Sequence, residues 1–291
     1  MIEGIIIKGI GGFYYIRTQD GIIQCRARGI FREENLIPLV GDRVRIRISQ
    51  EDNTGYIEEI FERKSQLLRP PVANVTQAII VMSVKKPNIS TWLLDRFLLM
   101  AEYEKLEIII CINKADLAPD KTEDIKTIYK NAGYKVISTS SKANMGIEEL
   151  STALKNNISV FAGPSGAGKS SLLNKVNPEF KLVTGEVSNK TKRGKHTTRH
   201  IELLNLEENT YVLDSPGFSS LNIDFIEEEI EVRDYFREIH KYGEHCKFLS
   251  CLHDKEPNCE VKKQVELGNI NNSRYVNYLQ FLEEIKNIRR Y

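Results

Sequence analysis

No apolar run in the 291 residues approaches the ~18 that a membrane-spanning helix needs, so no membrane span is expected. Net charge is nearly absent: 41 Lys and Arg against 40 Asp and Glu leave +1, which excludes a global polyanion-binding signature. The opening Met1-Ile-Glu-Gly4 lacks a basic stretch followed by an apolar one, so no secretory leader is read and a cytoplasmic protein is expected. Cysteines number five, and three of them fall between positions 246 and 259. Where thiols stay reduced, that clustering points to a metal rather than to disulfides.

The chain is organised around Gly163-Pro-Ser-Gly-Ala-Gly-Lys-Ser170, which fits the phosphate-loop pattern G-x-x-x-x-G-K-[ST]. The apolar run Ile158-Ser-Val-Phe-Ala162 precedes it and a helical first turn from Ser171 follows, which is the strand–loop–helix setting the motif requires. Glycines at 163, 166 and 168 let the backbone wrap an anion. Successive N–H groups along Gly163, Pro164 (which has none), Ser165, Gly166, Ala167, Gly168, Lys169, Ser170 and Ser171, with the helix N-terminus, then face phosphate. Lys169 is expected to reach the β- and γ-phosphates, and the Ser170 hydroxyl to ligate Mg²⁺.

Upstream, Glu107-Ile-Ile-Ile-Cys-Ile112 reads as a buried strand ending in Asn113-Lys-Ala-Asp116. An Asp116 carboxylate can accept from both N1–H and the 2-amino group of guanine, and adenine offers neither donor. Asn113 can bond the O6/N7 edge, and the stem of Lys114 can cover the ring. A further strand runs into Thr139-Ser-Ser141, a loop suited to supporting O6 with its backbone. The alternation of strand and helix from 69 to 224 argues a doubly wound α/β domain, with ligands at the carboxyl ends of its strands.

Downstream, the polar stretch 185–199 has no periodicity and is read as a switch segment. Thr198, or its neighbour Thr197, could place a hydroxyl on Mg²⁺. The strand Thr210-Tyr-Val-Leu-Asp214 ends in the D-x-x-G motif Asp214-Ser-Pro-Gly217: Asp214 for Mg²⁺, the Gly217 N–H for the γ-phosphate. Phe218 follows, where many GTPases carry a glutamine that orients water. His196 is the best candidate in the chain to replace it. Asn-Lys-x-Asp here precedes the phosphate loop, and D-x-x-G comes last, so the order is circularly permuted.

Residues 1–68 hold five short β-rich runs separated by Gly11-Gly12, Asp20-Gly21 and Asn53-Thr-Gly55, which suggests an OB-type β-barrel. Phe13, Tyr14, Tyr15, Arg26 and Arg28 are candidates for an RNA-binding face, or the aromatics among them are simply core. Cys25 is expected to be a core thiol. Arg43, Arg45 and Arg47 alternate on one strand, and Lys190, Lys192, Arg193 and Lys195 crowd one loop. Both runs could be solvated or could touch a phosphate backbone. Residues 225–291 read as mainly helical and carry Cys246-x4-Cys251-x-His253-x5-Cys259, a set suited to a closed structural Zn²⁺ site, with His245 as a competing ligand. Because this tail follows D-x-x-G directly, it is expected to be mechanically tied to nucleotide state.

Barrel, permuted nucleotide domain (69–224) and Cys/His tail together resemble the small ribosomal subunit biogenesis GTPase family of the RsgA type. The residues that carry the resemblance are 113–116, 163–170, Arg193-Gly-Lys-His-Thr-Thr-Arg199, 214–218 and the three cysteines with His253. The resemblance implies a monomeric cytoplasmic GTPase acting late in 30S subunit maturation and stimulated by that subunit. It implies contacts of barrel and zinc domain with 16S rRNA, no DNA partner, GTP and GDP as ligands, and His196 as the catalytic histidine beside Lys169 and Thr198.

Overall fold

The computed structural model describes residues 1–29, 31, 36–49, 54–67, 70–183, 201–214 and 222–288, with Asp214 by its backbone only. Five strands close a barrel: β1 (Ile2–Ile10), β2 (Phe13–Thr18), β3 (Gly21–Ala27), β4 (Arg43–Ile48) and β5 (Gly55–Ile60). Their order is β1-β2-β3-β5-β4, with β3 and β5 parallel and the other pairs antiparallel. Val44 and Ile46 point inward with Ile6, Ile16, Cys25 and Ile57, all buried, as the alternation with arginine on β4 requires. Cys25 is a core thiol whose pKa burial pushes up to about 11.

Of the outward arginines, Arg28, Arg45 and Arg47 are paired. Arg28 and Arg47 share Glu58 at 2.5 and 2.9 Å, and Arg45 bonds Glu59 and Glu3 at 2.5 and 3.1 Å. Phe13 and Arg26 face each other across β2 and β3, the guanidinium 4.7 Å from the ring centre. Tyr14 and Tyr15 are half-buried against the barrel core.

After a short ribbon of β6 (Gln66–Leu67) and β7 (Val72–Ala73) comes a six-stranded sheet in the order β10-β9-β8-β11-β13-β12. Its strands are β8 (Gln77–Ser83), β9 (Glu107–Asn113), β10 (Lys135–Ser138), β11 (Ile158–Ala162), β12 (Leu204–Glu207) and β13 (Thr210–Asp214). All but β12 run parallel. Both faces are covered, so the parallel strands are near-continuous apolar runs. Ile79, Val81, Ile109, Cys111 and Phe161 face α3 (Ile147–Leu154) and α4 (Lys169–Val176). Ile80, Met82, Ile108 and Ile110 face α1 (Thr91–Tyr103) and α2 (Pro119–Asn131). Strand β12 escapes the sequence reading because it is a short edge strand with no fully buried residue, so it shows no apolar run. Its turn is marked only by Asn209, which takes φ 56°, a left-handed value that Asn tolerates.

Helix α1 is buried almost all round. Leu94, Phe97, Leu98 and Ala101 meet the sheet, as the helical spacing predicts. Trp92, Asp95, Arg96 and Leu99 meet the C-terminal region, built from a 3₁₀ segment (Glu229–Tyr235), α5 (Arg237–Gly243), α6 (Glu260–Glu266) and α7 (Asn272–Ile288). At the centre of that junction Arg274, on α7, is 1% exposed. It gives a two-pronged contact to Glu238 at 2.7 and 3.0 Å and a 2.6 Å bond to Asp95. Asp95 also accepts from Tyr129 at 2.7 Å and from Asn277 at 2.6 Å. Burial opposes the Arg274 charge, but Asp95 and Glu238 outweigh it and hold its pKa well above the ordinary value. Burial pushes the Asp95 carboxyl up, against Arg274 and its other donors. Around this centre Arg96 grips Glu284 at 2.6 Å, Arg237 grips Glu102 at 2.6 Å, and Trp92 stacks on Phe281. The tail therefore docks on α1, beside the β9 half of the sheet, rather than riding freely on the end of β13.

Candidate nucleotide and metal sites

Five parallel strands bring their carboxyl ends to one edge, and three of them deliver the motifs. β9 delivers Asn113–Asp116, β11 delivers Gly163–Ser170, and β13 delivers Asp214, which sits opposite Phe161 in register. The phosphate loop has the backbone that its glycines permit: φ is 135° at Gly163, 76° at Gly166 and 97° at Gly168. A Cβ on Gly163 would lie 2.1 Å from the Val81 carbonyl oxygen, and one on Gly168 2.2 Å from the Asn113 amide nitrogen. Lys169 donates to the Gly163 and Pro164 carbonyls at 2.8 and 3.1 Å, so its ammonium stands in the mouth of the loop. Ala167 is buried and anchors the loop. Ser165 is exposed, and Ser170 and Ser171 are half-buried at the first turn of α4.

The two distant motifs interlock. Asn113 is fully buried, and its Nδ2 donates to the Ala167 carbonyl at 2.8 Å, while its Oδ1 lies 3.4 Å from the Thr139 hydroxyl. Its amide group thus ties base-side and phosphate-side loops together, where the motif alone assigns it to the ring edge. Lys114 takes a left-handed φ of 58° and donates to the Gly166 carbonyl at 2.9 Å and to the Lys86 carbonyl. Burial, and then the charge of Lys86, pull its pKa down. Asp116 follows in the first turn of a 3₁₀ segment, and its side chain is exposed at the same edge. Thr139 and Ser140 are buried. Thr139 donates its N–H to Ile112 and accepts from Ala115 at its carbonyl, and Ser140 pairs both ways with Met145. Ser141 is half-buried.

Sequence reading missed the loop 84–88, whose Lys86 carbonyl holds Lys114. A backbone carbonyl leaves no signature in residue type. Lys190, Lys192, Arg193, Lys195, His196, Thr197, Thr198, Gly217, Phe218 and the Asp214 side chain lie outside the described residues.

The second site lies in the C-terminal region. Cys246, Cys251, His253 and Cys259 place one ligand atom each within 4.8 Å of the others. Cys246 and Cys259 sulfurs are 3.8 Å apart, and His253 Nδ1 is 3.5 and 3.4 Å from them. Bonds of about 2.3 Å from sulfur to a tetrahedral zinc ion give a sulfur–sulfur edge of about 3.8 Å. The donor set fits that ion, with Nδ1 as the nitrogen ligand. His245, the competing candidate, is exposed and outside the cluster. Without an ion, burial would push the Cys251 thiol up to about 12 and draw His253 down to about 4, leaving packed neutral donors. The His253 and Leu252 carbonyls accept from Tyr275 and Tyr278 on α7 at 2.6 and 2.9 Å, so the cluster is fixed to the helix that carries Arg274.

Comparison with known proteins adds the family. Residues 60–224 match the RsgA GTPase family, and residues 3–57 match the RsgA N-terminal domain. The protein named small ribosomal subunit biogenesis GTPase RsgA from Caldanaerobacter subterraneus subsp. tengcongensis is 50% identical over 286 residues, covering 98% of this chain and 96% of its own. Its namesake from Alkaliphilus metalliredigens is 49% identical over 293 residues, covering 100% of both. Among solved structures, YloQ, described as a circularly permuted GTPase, superposes with a TM-score of 0.82 at 42% identity, over 99% of this chain and 96% of that one. YjeQ from Thermotoga maritima gives 0.85 at 41% identity, over 98% of each chain. Among the described residues no helix is long and apolar enough to cross a membrane. With the motif order, the strand order and likeness along its whole length in agreement, the chain belongs to the RsgA GTPase family and is a GTP hydrolase.

Proposed function

We propose that this GTPase acts in biogenesis of the small ribosomal subunit, late in 30S maturation. Bound subunit stimulates it, and its barrel and metal-bearing tail contact 16S rRNA. The observation that carries the nucleotide site is the 2.8 Å bond from Asn113 to the Ala167 carbonyl, which joins the base-side and phosphate-side motifs in one cleft. Asp116 reads N1–H and the 2-amino group, and the backbone of Thr139–Ser141 supports O6. Loop N–H groups from Gly163 to Ser171 cradle the phosphates, with Lys169 on the β,γ side. Ser170, Thr198 and the Asp214 carboxylate would hold Mg²⁺, which would supply charge neutralisation at the phosphate oxygens. Gly217 senses the γ-phosphate and His196 orients the attacking water. The phosphoryl transition state is loose, so positioning and electrostatics suffice.

The deciding experiment measures GTP turnover alone, with 30S and with 50S subunits, across salt. Stimulation by 30S that falls as salt rises is expected, because rRNA contacts release counterions. His196→Ala should lower stimulated turnover by about 10²-fold, the low end for a lost proton-handling or water-orienting group, with GTP affinity kept. Equal rates with and without 30S would instead leave the chain an RNA-binding assembly factor whose hydrolysis is incidental, a reading that Phe218 in place of glutamine favours.

The zinc ion in the Cys246/Cys251/His253/Cys259 set is part of the proposal. Cys259→Ser should remove about one equivalent of zinc by elemental analysis and lower the melting midpoint by more than ~5 °C, since structural zinc contributes folding free energy. A variant that melts like the parent would reduce the cluster to packed thiols.

A further inference from the structure

The loop from β8 to α1, residues 84–90, lies against the nucleotide motifs at three points. Val84 N–H donates to the Asn113 carbonyl at 3.0 Å. The Lys86 carbonyl accepts from the Lys114 ammonium, which also bonds the Gly166 carbonyl at 2.9 Å. Pro87 borders the Gly166 turn, where an added Cβ would lie 3.6 Å from its Cδ. The Lys114 ammonium thus sits between two backbone carbonyls. One belongs to the phosphate loop, the other to a segment outside both motifs.

Lys85 to Asn88 are exposed, so burial does not impose the shape of this loop. Yet Lys86 takes a φ of 54°, a left-handed value that a residue with a Cβ rarely adopts. Such backbone persists where its surroundings over-determine it, and it clusters at binding sites. Here both flanks are pinned. Ser83 Oγ donates to the Lys85 carbonyl at 2.6 Å, and Ser90 caps α1 by accepting from Leu93 N–H at 3.3 Å. Between those pins the Lys86 carbonyl is turned onto Lys114. An ammonium on a flexible four-carbon stem swings freely when it has one acceptor. A second fixed acceptor confines it, together with the stem behind it.

We propose that Lys86 is a positioning residue for guanine nucleotide: its carbonyl, presented by left-handed backbone, confines Lys114 over the base and slows nucleotide release, with no part in hydrolysis. The inference rests on the assignment of residues 113–116 to guanine given above. The acting group is backbone, so any residue that accepts the same φ can stand at position 86.

The test times release of a fluorescent GDP from the full-length protein by stopped flow against excess unlabelled GDP. Lys86→Asn removes the ammonium but tolerates the left-handed region, and should release within about twofold of the parental rate. Lys86→Val is β-branched and cannot hold that φ without strain. It should release about tenfold faster, the low end for a lost hydrogen bond to a charged group. Single-turnover hydrolysis of bound GTP and the melting midpoint should stay parental in both, because the loop is exposed. Lys114→Met keeps the stem and loses the ammonium, and should also release about tenfold faster. Adding Lys86→Val to it should change the rate by less than about twofold, since the two act through one contact. Parental release by Lys86→Val or by Lys114→Met, release by Lys86→Asn as fast as by Lys86→Val, additive effects in the double variant, or acceleration that follows a fall in melting midpoint would each overturn the proposal. Asp116→Asn is measured in parallel. If it and Lys114→Met both hold GDP as the parent does, the assignment of 113–116 to guanine is what fails; if both release fast while Lys86→Val does not, the brace at Lys86 is.

Discussion

Asp116→Asn is expected to weaken GTP binding by about 10- to 100-fold and to strengthen binding of xanthosine triphosphate, the range that follows from unpairing a charged hydrogen-bonding group. In the proposed reading the carboxylate accepts from two donors on guanine. An asparagine amide presents its own donor toward the 2-amino group, and the two repel. Xanthine carries an oxygen at that position, which accepts from the amide. Folding should be untouched, because the Asp116 side chain is exposed in the first turn of a 3₁₀ segment while the interlocking bonds belong to Asn113 and Lys114. Competition binding with both triphosphates decides it. A variant that still selects guanine would remove Asp116 from base recognition and leave the selectivity to backbone groups of Thr139–Ser141.

Arg274→Ala should lower stability by about 3–5 kcal/mol, the usual loss when one partner of a buried ion pair is removed. The variant strands two carboxylates, Asp95 and Glu238, which are 0% and 5% exposed. Asp95 lies on α1, so the loss should appear in the nucleotide domain as well as in the tail. Urea unfolding followed by tail and nucleotide-domain probes should show one shared transition in the parent. Two separate transitions there would show that the tail is not integral to the α1 face. An uncharged double replacement, Asp95→Asn with Glu238→Gln in the Arg274→Met background, should regain much of the loss, because the unpaired buried charge and not the missing contact dominates it.

Much of this was legible in the residues because it is local. Strand β11 spans Ile158–Ala162 as the apolar run before the phosphate loop indicates, and Asn113 ends β9. Three cysteines and a histidine within fourteen positions name their own cluster. What stayed hidden is long-range. Asp95 and Arg274 are 179 positions apart, and Lys8 and Glu202 are 194 apart. Each looks like a charge on a solvated face. The burial of Asp95 follows only when α7 is laid on α1, which no periodicity announces: α1 shows the spacing of its sheet-facing side and conceals its second buried side. Asn113 is similar. Its motif announces a base contact, and only the fold turns its amide toward Ala167.

The position of Arg274 also bears on synthesis. At about 5–20 residues per second, Asp95 is made about 9–36 s before its guanidinium partner. In the last part of that interval, once Gly217 has been made, the nucleotide motifs are complete in sequence while one flank of α1 still lacks the partner of its carboxylate. A chain released early, through truncation or a premature stop, would carry that flank permanently. Such a product would keep the Asp95 carboxylate without the guanidinium that α7 brings to it.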